Sequence, residues 1–177
     1  TPQFNKSSLV RVPIRLGQDA FTVGEISEEN IQTALASSKQ INGLHGRWEV
    51  IHEHPTVVMD VGHNEDGVKQ IVAQLNESSY NKLHIVIGMV KDKEIEKVLA
   101  LLPKDAQYYF TKAHIPRALP EADLHAKALA FDLNGETFED VNAAIASALE
   151  CATNDDLILV CGSVFLVGEV DVKAIGN

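Results

Sequence analysis

"TVVMDVGHNEDG", residues 56–67, is the stretch on which the fold turns: a β-branched apolar run stops on Asp60, then passes through Gly62, His63 and Asn64 into two acids and Gly67. Val57, Val58 and Met59 leave no polar alternation in the run, the pattern of a strand buried on both faces. Immediately afterwards Val68, Ile71, Val72 and Leu75 recur at helical spacing, Asn64 suits an N-cap, and Glu65 and Asp66 suit the positive end of a helix. A strand, a tight turn and a helix are therefore predicted, with a carboxylate at the strand's C-terminal end.

Upstream, "RWEVIHEHP" predicts a second strand folded back on the first by a short turn at His54-Pro55, an antiparallel edge. Downstream, "LHIVIGMV" is another buried strand, followed by "KDKEIEKVLALLP", a helix with the stripe Ile95, Val98, Leu99 and Leu102. "AQYYFT" is a third parallel strand, "PEADLHAKALA" and "FEDVNAAIASALECA" are helices, and "LILVCGS" is the last core strand. The closing "VFLVGEVDVKAI" places Val164, Val167 and Val170 at helical spacing and is expected to be helical because it follows a parallel strand. This alternation predicts an α/β, Rossmann-like three-layer domain: a mostly parallel sheet of about six strands with an antiparallel edge strand and helices on both faces.

Residues 1–46 differ. "ISEENIQTALASSKQING" reads as a Ser-capped amphipathic helix, and "VRVPIRL" as irregular chain or a short strand. They are expected to form a linker or the remnant of a preceding domain, with the α/β domain over 47–177.

With 177 residues, 45% of them hydrophobic, the chain can bury one real core. The net charge is -10 and the 15 lysines and arginines are scattered, so no basic stripe is present to displace counterions from a nucleic acid. No segment approaches the roughly 18–20 consecutive apolar residues of a membrane span, and the N-terminus lacks a signal-peptide layout. The expectation is a cytoplasmic protein with no membrane partner. Cys151 and Cys161, the only cysteines, lie among apolar or small residues and read as reduced core thiols.

The turn after Asp60 can be tested against known site chemistries. Gly62 and Gly67 have the glycine separation of a phosphate loop, but Lys69 falls one place late, no hydroxyl follows, and Glu65 and Asp66 would put two negative charges in the cradle. No G-x-G-x-x-G fingerprint occurs anywhere. His52, His54 and His63 lie on either side of a hairpin without a zinc-binding spacing. What remains is a carboxylate on the ligand-side edge of a parallel sheet, able to accept two ribose hydroxyls, with His63 within reach of base, ribose or phosphate. The plainer alternative is that Asp60 and Asn64 only cap the helix and His63 faces solvent.

Read in order, "GLHGRWEV", "VVMDVGHN", "IVIGMVKDKE" and "ILVCGSVFLVGEV" resemble the C-terminal domain of folylpolyglutamate synthase/dihydrofolate synthase, within the Mur ligase superfamily. The resemblance spans about residues 25–172. It implies an enzyme that uses ATP and Mg2+ to phosphorylate a folate carboxylate, after which L-glutamate attacks the acyl phosphate to form an amide. It also implies that the phosphate loop and the metal ligands belong to a larger N-terminal domain, that this fragment is the lid closing over ATP, and that the fragment alone is inactive. The alternatives are the lid of a cell-wall Mur ligase and a non-catalytic α/β binding domain.

Carried over residue by residue, the resemblance implies ATP contacts from Arg47, Asp60 and His63, with Asn64 in support. Lys91, Asp92 and Lys93 resemble the family's turn after the second parallel strand, where a cation could hold a glutamate carboxylate. Ser163 sits where such ligases bind the incoming amino acid, though its residue type equally suits an N-cap. No residue here is assigned to the chemical step or to the metal. Arg117 and the single Trp48 are read as structural.

Overall fold

The computed structural model describes residues 10–16, 20–26, 46–91 and 94–175. The chain divides into two compact units, Thr1–His45 and Gly46–Asn177. In the first, β1 (Val10–Leu16) and β2 (Ala20–Ile26) form an antiparallel ribbon with Val10 opposite Ile26 and Leu16 opposite Ala20. "VRVPIRL" is thus a full strand rather than irregular chain. The helix expected over "ISEENIQTALASSKQING" lies outside the described residues, apart from Ile26, which ends β2.

The second unit opens on β3 (Glu49–Glu53) and β4 (Thr56–Asp60), an antiparallel hairpin with a cis His54-Pro55 bond and a register shift between Val50 and His52. Then come α1 (Glu65–Glu77), β5 (Leu83–Ile87), α2 (Ile95–Leu99), β6 (Gln107–Phe110), α3 (Glu121–Ala128), a single 3-10 turn at Leu129–Phe131 and β7 (Gly135–Thr137). The unit closes with α4 (Val141–Cys151), β8 (Leu157–Cys161), α5 (Val164–Val167) and α6 (Val172–Ile175).

The sheet order is β3-β4-β8-β5-β6-β7, parallel throughout except for the β3-β4 pair. All residues of the central strands β5 and β8 are buried, as near-continuous apolar runs require in a sheet covered on both faces. One core layer joins Val68, Ile71 and Leu75 of α1, Val98 of α2 and Leu124 of α3 to Val58, Ile85 and Leu159. The other joins Val141, Ala144 and Ile145 of α4, Leu166 of α5 and Ile175 of α6 to Met59, Val86 and Ile158. Each fully buried Leu or Ile contributes roughly 1.5–3 kcal/mol against entropy costs of similar total size. The result is the expected three-layer, Rossmann-like architecture.

Two details differ from the sequence expectation. The closing segment is helical but broken, because Gly168–Asp171 separates α5 from α6. Cys161 is buried as expected, whereas Cys151, at the end of α4, is exposed rather than a core thiol.

β8 lies between β4 and β5, and the chain leaves β4 toward one face and β8 toward the other. Such a switch point, at the C-terminal ends of parallel strands, is where open α/β sheets bind ligands. Here the loops are stitched together by Gly162 N–H to Gly62 O at 3.1 Å and Gly88 N–H to Cys161 O at 3.3 Å.

Candidate functional site

β4 delivers Asp60 to this rim, level with Cys161 of β8. Both carboxylate oxygens are engaged: Oδ1 accepts the Gly62 N–H at 2.7 Å and Oδ2 accepts the Trp48 N–H at 2.9 Å. Asp60 is half-buried, and since an ionised carboxylate offers about four acceptor positions, capacity for further donors remains. Burial, and secondarily Asp60, pushes the Cys161 thiol up to about 12, so this cysteine is a protonated packing group.

In front of Asp60 lies a depression of about 220 Å³ lined by Arg47, Gly62, His63, Asn64, Asp66 and Gln70, among others. Asp60 is not part of the lining; it stands behind it, tied to Gly62. His63 is exposed, and its Nδ1 lies 3.0 Å from the Val61 carbonyl. A carbonyl can only accept, so Nδ1 carries the proton and Nε2 of the neutral ring is left as an outward acceptor. Asn64 is the N-cap of α1, its Oδ1 accepting the Gly67 N–H at 2.9 Å, which leaves its amide NH2 to face solvent or ligand. Arg47 is exposed and has no ion-pair partner among the described residues; Glu49, two places on, accepts the Gly46 N–H through Oε2 at 2.7 Å.

The structure thus gathers Arg47, His63 and Asn64 around one hollow backed by Asp60. It does not gather the rest. Lys91 is exposed in the loop that follows β5, its N–H donating to Arg117 O at 2.9 Å. Asp92 and Lys93 lie outside the described residues. Ser163 is buried and caps α5, its Oγ accepting the Phe165 N–H at 3.2 Å. Arg117 stacks over the half-exposed ring of Phe165, 4.6 Å from its centroid. Asp66 and Gln70 were missed by sequence reasoning, although their four-residue separation puts them on the same face of α1 as the turn.

A larger hollow, about 500 Å³, opens at the opposite end of the sheet among Glu53, His54, Asn81, Asn154 and Asp155. Neither lysine nor arginine lines it, and no ligand chemistry converges there, so size is a poor guide to the site. Among the described residues no group of three or more His, Cys, Asp or Glu could hold a metal ion, and no helix is long and apolar enough to cross a membrane.

Residues 46–164 match the family model of the Mur ligase, glutamate ligase domain. The chain belongs to that family. It is 38% identical over 128 residues to a probable bifunctional folylpolyglutamate synthase/dihydropteroate synthase of Haloferax volcanii, covering 70% of this chain and 15% of the relative. It superposes on Escherichia coli FolC in complex with DHPP and ADP with a TM-score of 0.71 at 30% identity, covering 85% of this chain and 35% of that one. A bifunctional folylpolyglutamate synthase/dihydrofolate synthase with Mn, AMPPNP and L-glutamate bound gives a TM-score of 0.71 at 29% identity, covering 86% and 36%. The chain therefore spans about a third or less of the length of these three relatives.

Proposed function

We propose that residues 47–177 are the C-terminal lid of an ATP-dependent folate ligase and that residues 1–46 lead in from a phosphate-loop domain of the same polypeptide. In this reading the carboxylate of dihydropteroate or a tetrahydrofolate takes the γ-phosphoryl group of ATP, releasing ADP and leaving an acyl phosphate. The amine of L-glutamate then attacks the acyl carbon and phosphate departs, which leaves an amide. A reaction that draws on ATP and folate fits the cytoplasm. Mg2+ would neutralise the triphosphate, and with no cluster for it among the described residues its ligands are assigned to the preceding domain.

The observation that carries the proposal is the convergence of Arg47, His63 and Asn64 in front of Asp60 at the switch point. A hollow of about 220 Å³ falls below the usual range for a complete small-molecule site, roughly 300–1,000 Å³, which suits a lid supplying part of the contacts. Arg47 is the available cation and takes a phosphate or the charge that develops during its transfer. Asp66 repels phosphate from the first turn of α1, so the triphosphate lies toward Arg47, with ribose and base toward Asp60, His63 and Asn64. Lys91, Asp92, Lys93 and Ser163 are proposed for the glutamate or folate side.

In the full-length polypeptide, Arg47→Ala and His63→Ala are each expected to raise KM for ATP about tenfold, a change of about 1.4 kcal/mol. ATP turnover is expected to require L-glutamate and dihydropteroate or tetrahydrofolate, and not a nucleotide-linked muramyl peptide. An unaltered KM in both variants would sink the nucleotide assignment, and turnover with the muramyl acceptor would move the chain to the cell-wall branch.

A further inference from the structure

A nucleotide contact alone does not account for the bonds that Asp60 already makes. The segment carrying Arg47 is held in an unusual shape: Gly46 has φ 81° and Trp48, a bulky L-residue, φ 43°. Left-handed backbone at such a residue persists only where the surroundings over-determine it. Here they do. A Cβ on Gly46 would come within 2.7 Å of Val61 Cγ1, the Gly46 carbonyl accepts the Val61 N–H at 2.7 Å, and Glu49 takes the Gly46 N–H. Trp48 itself is held by its N–H bond to Asp60 Oδ2 and by packing of its side chain against the core.

Arg47 sits inside this turn without an ion pair among the described residues, so the backbone of the turn fixes the point from which its long side chain reaches the hollow. The other oxygen of the same carboxylate fixes Gly62, the neighbour of His63. One side chain thus fastens the chain neighbours of Arg47 and His63, two of the residues that line the hollow, across twelve positions of sequence.

We infer that Asp60 is a positioning residue for Arg47, acting on the nucleotide through the backbone of Trp48 as well as through any contact of its own. This rests on the nucleotide reading above. It predicts that losing the Asp60 carboxylate weakens binding of a nucleotide that has no ribose hydroxyls to offer it.

The decisive variant is Asp60→Asn, which keeps the side-chain volume but has only one acceptor oxygen for the two N–H groups. In the full-length polypeptide, KM would be measured for ATP and for 2′,3′-dideoxy-ATP in wild type, Asp60→Asn, Arg47→Ala and the double variant. Asp60→Asn is expected to raise KM about tenfold for both nucleotides, and the double variant to match Arg47→Ala within about threefold, since the two act in series. An effect that disappears with the dideoxy nucleotide, or that multiplies with that of Arg47→Ala, overturns the inference in favour of a ribose contact alone.

Hydrogen exchange on the 177-residue chain gives a readout independent of turnover. In Asp60→Asn the amides of Trp48 and Gly62 are expected to exchange faster while those of β5 and β8 keep their protection. Retained protection at Trp48 overturns this inference alone, and loss of protection throughout reduces Asp60 to a general structural role. An unchanged ATP KM in Arg47→Ala alone overturns this inference, and an unchanged KM in both Arg47→Ala and His63→Ala removes the nucleotide reading as well.

Discussion

Asp60 and Asp156 stand at opposite ends of neighbouring strands and use the same device. Each carboxylate accepts one backbone N–H from its own turn and one from a segment more distant along the chain: Asp60 those of Gly62 and Trp48, Asp156 those of Thr153 and Lys82 at 2.7 and 2.9 Å. What lies beyond them differs. Asp156 is 1% exposed and faces the buried His84, whose Nε2 is 3.7 Å from Oδ2 and whose Nδ1 meets the Tyr109 hydroxyl at 3.1 Å. Asp60 is half-exposed and lies next to a hollow lined by the exposed His63 and Arg47. The bonds around a carboxylate therefore do not reveal its role; what they hold in place does.

The electrostatics follow the same division. Burial works to raise the pKa of Asp156, but hydrogen bonds from Thr153 and Lys82 and the neighbouring His84 outweigh it and hold the carboxyl below its usual value. Burial pushes His84 down more than Asp156 can restore, so the imidazole is neutral in the folded state. The Asp156 end is a closed clip, whereas at the Asp60 end the Arg47 guanidinium has no ion pair among the described residues.

The largest expected effect is at the closed end. Asp156→Ala removes a fully buried charged acceptor from two part-buried N–H groups and is expected to cost about 3 kcal/mol in urea unfolding, since each hydrogen bond to a charged group is worth roughly 1.5–3 kcal/mol. A loss no larger than that from Asp60→Ala would erase the distinction between the two ends. For Asp60→Ala the expectation is about 1–2 kcal/mol, because this carboxylate is only half-buried and water can take its place as acceptor. Asn64→Ala should cost about 1 kcal/mol, the usual worth of an N-cap, and a null result would show that the turn is held without it.

The smallest effect is on pH dependence. Because the folded pKa of His84 lies below its unfolded value, the unfolded chain takes up the proton first; stability is present above about pH 6.5 and drains away as the pH falls through and below it. The depressed Asp156 carboxyl adds a second loss at lower pH, below about 4. Melting temperatures from pH 5 to 8 should show the first slope in wild type and a flatter one in His84→Gln. Equal slopes would mean that His84 is not the titrating group.

Much of this was legible in the residues. Apolar runs without alternation identified β4, β5 and β8, and the stripe Val68, Ile71 and Leu75 identified α1 down to its Asn64 cap. β7 was not legible: its three residues, Gly-Glu-Thr, are too short for any period and pair only because Gly135 fits against the Tyr108 backbone. The partner of β1 was missed because strand pairing is a property of two segments, and "AFTVGEI" alone shows little contrast. Of the candidate site, the Asp60 to Asn64 turn could be read because its residues are contiguous. The left-handed Trp48 could not, because its cause is a carboxylate twelve residues away.

The register shift in β3 has a further consequence. A sheet with an open margin invites a stranger's strand, and β3 is one of two such margins here. The extra residue between Val50 and His52 spoils the regular spacing of its outer N–H and C=O groups, and acids at Glu49 and Glu53 flank the defect. At the far margin, three residues offer a visitor too little to grip. Both borders thus discourage fibre-like self-association, an economical safeguard for a domain whose centre is this greasy.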